Sequence, residues 1–295
     1  MKVYIKQNLG SFAVDRITQA IKDHTPDSIE FVEDKNKADL IFLYVNGRIE
    51  HLKKEVEQIK KQGKKYLIVQ LAIRSTKNPN TNDWIKIWQE AGLVWTYYDL
   101  FKLCREDNIK PNFNFYHSPL GLDQTFIDYS KNLDLNKLKK EYAIVSSGLG
   151  YLTESARECI LASEEVNKKI YHVGPKITER QSVISSMGAK DWELCINYSK
   201  SEYVSGLRRL EGFELPVIEG LVCGARPIVF DRPDNHKWFE KYAIFIPETN
   251  REKIKDDLVR IFKGELKRPT REEIDMAISD FNWQKIITGL WQKIL

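Results

Sequence analysis

Glu211-Gly212-Phe213-Glu214-Leu215-Pro216-Val217-Ile218-Glu219-Gly220-Leu221-Val222-Cys223-Gly224-Ala225-Arg226-Pro227-Ile228-Val229-Phe230-Asp231 reads as a loop, a short helix, a tight turn and a strand. Pro216 is tolerated in the first helical turn, where the N–H it lacks would have no intrahelical partner. Gly224 is placed to end the helix in a left-handed conformation, and Pro227 keeps it from continuing. Arg226–Phe230 follows as a strand. Gly212 lets the backbone at the helix N-terminus come close to a ligand, and the amides and positive dipole end there suit an anion.

The same alternation runs outward in both directions. In the first half, Val3–Ile5, Ile29–Val32, Leu40–Val45, Tyr66–Ile73, Leu93–Thr96 and Phe113–Tyr116 read as strands. Val14, Ile17 and Ile21, and then Ile49, Leu52, Val56 and Ile59, recur at helical spacing between them. The Lys60–Lys65 cluster is placed to cap the second of these helices, where cations favour the dipole. In the second half, Tyr142–Val145, Ile170–Val173, Leu194–Asn197, Tyr203–Ser205, Arg226–Phe230 and Ala243–Ile246 read as strands. Helices are expected near Trp84–Glu90, Glu154–Ser163, Leu215–Val222, Lys253–Phe262, Arg271–Ser279 and Trp283–Leu295. Alternating strands and helices throughout predict an α/β protein with parallel sheets covered on both faces. Two such runs point to two Rossmann-like domains, 1–120 and 121–280, with His117–Asp123 as the hinge. The apolar stripe of residues 281–295 is expected on a helix that packs back on the first domain.

The chain has 295 residues, 46 Lys and Arg against 42 Asp and Glu, and 42% hydrophobic residues, the balance of a globular protein. Its longest apolar runs are strand-sized, far below the ~20 residues of a membrane helix, and the N-terminus has no apolar signal region. Cys104, Cys159, Cys195 and Cys223 are widely separated and read as buried, reduced thiols of a cytoplasmic protein. There is no Asp-x-Asp, and His24, His51, His117, His172 and His236 share no ligand spacing, so no metal is expected.

Gly148-Leu149-Gly150-Tyr151-Leu152-Thr153 follows a strand and precedes a helix, but Thr153 stands where a dinucleotide fingerprint has its third glycine. The next strand ends His172-Val173-Gly174, without the acid that would bind a ribose. A nicotinamide cofactor is therefore disfavoured, although the glycines still admit a phosphate.

Glu211 and Glu219, with seven residues between them in the opening stretch, resemble the EGFGLPxxEAxACGxPVI signature of retaining GT-B glycosyltransferases, most closely the large family four of nucleotide-sugar enzymes. Pro119-Leu120-Gly121-Leu122-Asp123-Gln124-Thr125-Phe126 resembles that family's interdomain PNGVDxxxF segment. The resemblance covers most of residues 113–250. It implies a GT-B fold, with two Rossmann-like domains facing across a cleft. It also implies transfer of a sugar, a hexose being the usual one, from a nucleoside-diphosphate donor to an acceptor hydroxyl with retention, without a metal or cofactor. By the same resemblance Glu211 would align the donor sugar and Glu219 would hold the ribose hydroxyls. The backbone at Gly212, Phe213, Glu214 and Leu215 would meet sugar and diphosphate. Gly148 and the first-loop residues Asn8, Gly10 and Ser11 would also line the donor.

Three departures stand out. The family's Arg/Lys pair after the first strand of the second domain is missing, since Ser146–Ser155 carries no basic residue. Arg208 and Arg209 are the best substitutes for stabilising the leaving diphosphate, with Lys176 a weaker one. Glu214 replaces a usual glycine, which would put a second carboxylate near the donor. The family's N-terminal histidine has no clear counterpart, and Arg74 lies in about the right region. The acceptor stays open among glycan, lipid, protein and a hydroxylated DNA base, as does the oligomeric state. A GT-B protein that binds nucleotide without transfer is the alternative from another class.

Overall fold

A computed structural model describes residues 1–5, 12–45, 49–71, 82–106, 110, 112–148, 155–209 and 213–295. Among them lie twelve strands: β1 (Lys2–Ile5), β2 (Glu30–Phe31), β3 (Leu40–Val45), β4 (Lys65–Gln70), β5 (Leu93–Thr96), β6 (Phe115–His117), β7 (Tyr142–Ser147), β8 (Lys169–Val173), β9 (Val183–Ser186), β10 (Ser201–Gly206), β11 (Arg226–Phe230) and β12 (Ile244–Ile246). They form two six-stranded sheets, and every pairing among the described residues is parallel. The chain divides into two compact units. One comprises Met1–Gly121 with Asn282–Leu295, the other Leu122–Arg209 with Phe213–Phe281.

The first unit has the strand order β2-β1-β3-β4-β5-β6. The run Leu40–Val45 is almost wholly buried at its centre, as a parallel strand covered on both faces must be. Ile49, Leu52, Val56 and Ile59 are the buried stripe of helix Ile49–Lys61. Lys64, expected in a solvated cap, instead donates to the carbonyls of Lys35, Asn36 and Ala38. Two of the buried indoles are hydrogen-bonded: Trp88 Nε1 donates to Gln70 Oε1 at 3.0 Å and Trp95 Nε1 to Ser118 Oγ at 2.8 Å. The last helix, Trp283–Ile294, belongs to this unit. Trp291 packs on Phe42 with ring centroids 5.9 Å apart, and Tyr116 Oη donates to Ile286 O. Gly289 makes that approach possible, because a Cβ there would stand 2.5 Å from Tyr116 Oη.

The second unit has the order β12-β11-β10-β7-β8-β9, which is the 3-2-1-4-5-6 order of a doubly wound nucleotide-binding sheet counted from β7. Its core joins Ala143, Ile144, Ile170, Tyr203, Ile228 and Phe230 of the strands to Cys159, Ile160, Ile254 and Leu258 of the covering helices. Leu194–Asn197, expected as a strand, lies inside helix Asp191–Ser199. Its buried residues Leu194, Cys195 and Tyr198 fall at helical spacing, and Glu193 Oε2 accepts from Lys190 N at the helix start. Strand β9 and the helices Leu100–Glu106 and Gln124–Lys131 were not foreseen: β9 is an edge strand of half-exposed residues without a buried apolar run.

Two cations, half-buried Lys140 and buried Arg226, secure the amino-terminal edge of this sheet. Lys140 Nζ donates to Ser199 O, Ser201 O and Gly224 O at 3.0, 2.8 and 2.8 Å, and burial pulls its ammonium down to about 8. Arg226 forms a two-point pair with Glu273 at 2.9 and 2.8 Å and donates to three carbonyls. Burial pushes the Glu273 carboxyl up, but Arg226 and Thr270 outweigh it and hold it below its ordinary value. Replacing Lys140 by Met strands three carbonyls. The variant is expected to lose about 2–4 kcal/mol of stability, read as a lower urea midpoint at unchanged slope.

Candidate active site

In the second sheet the chain leaves β7 toward β8 and β9 on one side and returns to lay β10 on the other. The crossovers therefore diverge at the carboxyl ends of β7 and β10, the position at which open parallel sheets form a crevice. Open parallel sheets bind ligands at such a point. Ser147 and Gly148 stand at the end of β7, and Gly206, Leu207 and Arg208 at the end of β10.

Glycine brings the backbone together here. Gly148 has φ +139° and Gly174 φ +150°, and a Cβ on Gly174 would fall 2.3 Å from Gly148 O. The helix Leu215–Val222 is seated on β10 the same way: a Cβ on Gly220 would meet Val204 within 3 Å, and one on Gly206 would meet Val217 at 2.5 Å. The helix ends as the sequence predicts. Gly224 is left-handed at φ +87°, its N–H bonds Leu221 O, and Ala225 N bonds Gly220 O.

Arg208 lies across the crevice. Its Nη2 donates to Ser147 Oγ at 3.0 Å, and its Nε is 3.1 Å from Glu214 Oε2. Glu214 Oε1 also accepts from Arg208 N at 3.2 Å. Glu214, expected as a carboxylate facing the donor, is 5% exposed and turned onto Arg208. Arg209 diverges from its neighbour: it pairs with Glu248, donates to Thr249 O and lies 5.7 Å above the Phe230 ring. The expectation treated the two arginines alike, but the chain bends at Arg209 beyond the end of β10, and the two side chains serve different places.

Arg232 was missed by sequence reasoning. Its Nη atoms donate to the carbonyls of Arg208 and Arg209 at 3.1 and 3.0 Å, its Nε pairs with Glu248 at 2.6 Å, and its guanidinium lies 5.3 Å from the centre of Phe230. Ser147, Arg232 and Glu248 each stand at or just beyond the carboxyl end of a strand, a positional signal that could have found them.

Glu219 is buried in its helix and accepts from Tyr198 Oη at 3.4 Å. The side chain of Phe213 belongs to a cluster with Phe239 and Phe281, and Leu215 is buried beside it. Lys176 is exposed and paired with Glu179. Asn8, Gly10, Ser11, Arg74, Glu211 and Gly212 lie outside the described residues. Among those described, no group of three or more His, Cys, Asp or Glu is arranged to hold a metal ion, and no helix is long and apolar enough to cross a membrane.

No protein-family model matches this sequence, and no curated protein matches it. Solved structures do. Sucrose-phosphate synthase from Thermosynechococcus elongatus superposes with a TM-score of 0.70 at 12% identity, over 99% of this chain and 97% of that one. HepE of Anabaena, solved in complex with UDP and glucose, gives 0.69 at 9% identity, over 99% and 98%. The UDP-forming α,α-trehalose-phosphate synthase of Burkholderia xenovorans gives 0.66 at 9% identity, over 87% and 73%. The chain has the GT-B fold. Likeness at these identities establishes the architecture of the two sheets, and the chemistry has to come from the side chains.

Beneath the crevice, His172 is fully buried, with Nδ1 2.9 Å from Ser146 Oγ. Burial, with the nearby Arg208 charge, holds its imidazole below the ordinary 6.5 against the opposing effect of Gly148. The unfolded chain takes up this proton near 6.5 and the folded chain only lower. His172 therefore subtracts stability as pH falls below 6.5, at up to about 1.4 kcal/mol per pH unit, until the folded imidazole itself protonates. His172→Asn should flatten the decline of unfolding free energy between pH 7 and 5. Identical slopes in both proteins would contradict the assignment.

Proposed function

We propose that this chain is a glycosyltransferase that moves a sugar from a nucleoside-diphosphate sugar to an acceptor hydroxyl. The observation that carries the proposal is the Arg208 guanidinium fixed between Ser147 and Glu214 at the strand-order reversal. A cation with forked donors in that place suits a phosphate. The N-terminus of helix Leu215–Val222, which follows in the chain, adds backbone amides and a positive dipole end. The neighbours give the same direction: HepE was solved with UDP and glucose, and the trehalose-phosphate synthase is UDP-forming.

In this proposal the donor diphosphate lies over the carboxyl ends of β7 and β10. The backbone at Phe213, Glu214 and Leu215 faces it, and Gly148 allows a close approach. Glu219 receives the ribose hydroxyls, its carboxylate held by Tyr198. Glu211 and Gly212, and Asn8, Gly10 and Ser11 of the first loop, are assigned on the sequence resemblance alone. A carboxylate at Glu211 would align the sugar while the bond to the diphosphate breaks. Arg208 would stabilise the charge that develops on the departing phosphate, the kind of contact worth several kcal/mol when aimed at a transition state. The departing diphosphate would take the acceptor proton on the same face of the sugar. The anomeric configuration is then retained, and no metal is required. A hexose is the proposed group, and the acceptor class is left to experiment.

A panel of uridine, guanosine, adenosine and thymidine diphosphate sugars, followed by release of the free diphosphate, tests the proposal. One donor should turn over, at least by slow hydrolysis. Glu219→Ala should raise the donor KM about tenfold to a hundredfold, the loss of one or two hydrogen bonds to a charged group, with a smaller change in kcat. Glu211→Gln should lower kcat about a hundredfold. Tight binding of a nucleoside diphosphate without turnover of any sugar donor would instead make the chain a binding protein.

A further inference from the structure

Glu214 is the unusual member of the crevice. It occupies the N-cap position of helix Leu215–Val222, yet its side chain makes no cap hydrogen bond to that helix. The carboxylate turns back six residues along the chain. One oxygen accepts from the backbone N–H of Arg208, and the other stands 3.1 Å from its Nε. Both ends of the arginine are thereby held by one side chain, and the guanidinium is carried to Ser147 on β7.

Two consequences follow from elementary electrostatics. An arginine on a loop carries roughly 2 kcal/mol of rotamer entropy, and a guanidinium already fixed in place loses less on meeting a phosphate. A buried carboxylate next to that cation also opposes an incoming anion, because like charges repel strongly where water is excluded. Glu214 is thus either the brace that makes Arg208 effective or a counterion that weakens it, and the two roles predict opposite signs. The geometry favours the brace. A plain counterion needs only proximity, whereas Glu214 engages the backbone and the guanidinium of the same residue, and Arg232 independently fixes the carbonyls of Arg208 and Arg209.

We propose that Glu214 is a positioning residue that fixes Arg208 across the β7–β10 crevice, so that preference for a nucleoside diphosphate over a monophosphate depends on it. This rests on the glycosyltransferase proposal, in which the crevice receives the diphosphate of the donor.

The test is the dissociation constant for UDP and for UMP, or for the corresponding pair when another base of the donor panel turns over, measured by calorimetry on the native chain, Glu214→Gln and Ser147→Ala. The native chain should prefer the diphosphate. Glu214→Gln should lower that preference about threefold to tenfold, the scale of a weakened charge-assisted contact. Ser147→Ala removes a single hydroxyl and should shift the preference the same way by about twofold to fivefold. A cooperative thermal unfolding transition close to that of the native chain serves as the check that each variant is folded. An unchanged preference in both variants overturns the positioning role, and a stronger preference in Glu214→Gln makes Glu214 a counterion. A native chain that distinguishes none of the uridine, guanosine, adenosine and thymidine diphosphates from the matching monophosphate fails the proposed function itself, before any variant is considered.

Discussion

Everything functional in the second unit depends on a reversal of strand order. Parallel strands need crossovers, and crossovers cover the sheet, so a fully wound sheet offers few places where strand ends stay accessible. The return from β9 to lay β10 beside β7 creates such a place. The glycines at 174, 206 and 220 are consequences of the same constraint. They let backbones and one helix approach near the strand ends to distances that a Cβ would prevent.

Charge is arranged around that point with little left to chance. Arg208, Arg209 and Arg232 follow β10 and β11, and each is braced by Glu214 or Glu248. Three arginines in so small a region would repel one another and scatter without those carboxylates. With them, one guanidinium is directed to the β7–β10 crevice and the other two hold the loop and the Phe230 ring. At the opposite edge, Lys140 and Arg226 spend their donors on helix and loop carbonyls, which anchors the sheet independently of the crevice.

Much of the fold was legible because local signals agreed with tertiary structure. Leu40–Val45 is buried on both faces and reads as such. Leu215–Val222 carries its own start in Pro216 and its stop in Gly224, and both behave in the structure as the sequence requires. Leu194–Asn197 was misread because four residues taken alone do not distinguish strand from helix. The spacing of Leu194, Cys195 and Tyr198, over a longer window, does. Strand β9 escaped because an edge strand needs no apolar run. At the crevice the sequence pointed to the right segment but not to the orientation of its side chains. Nothing periodic says that Glu214 reaches back to Arg208, or that Arg208 and Arg209 part company. Those facts come from chain reversal between residues distant in periodicity but close in space.

The central claim is that a diphosphate occupies the carboxyl ends of β7 and β10. A crystal structure of the chain with bound UDP tests it most directly. Both phosphates are expected within hydrogen-bond distance of the Arg208 guanidinium or of the backbone amides at Phe213 to Leu215, with the ribose hydroxyls on Glu219. Phosphates seated anywhere else on the molecule, with Arg208 still held between Ser147 and Glu214, would contradict it.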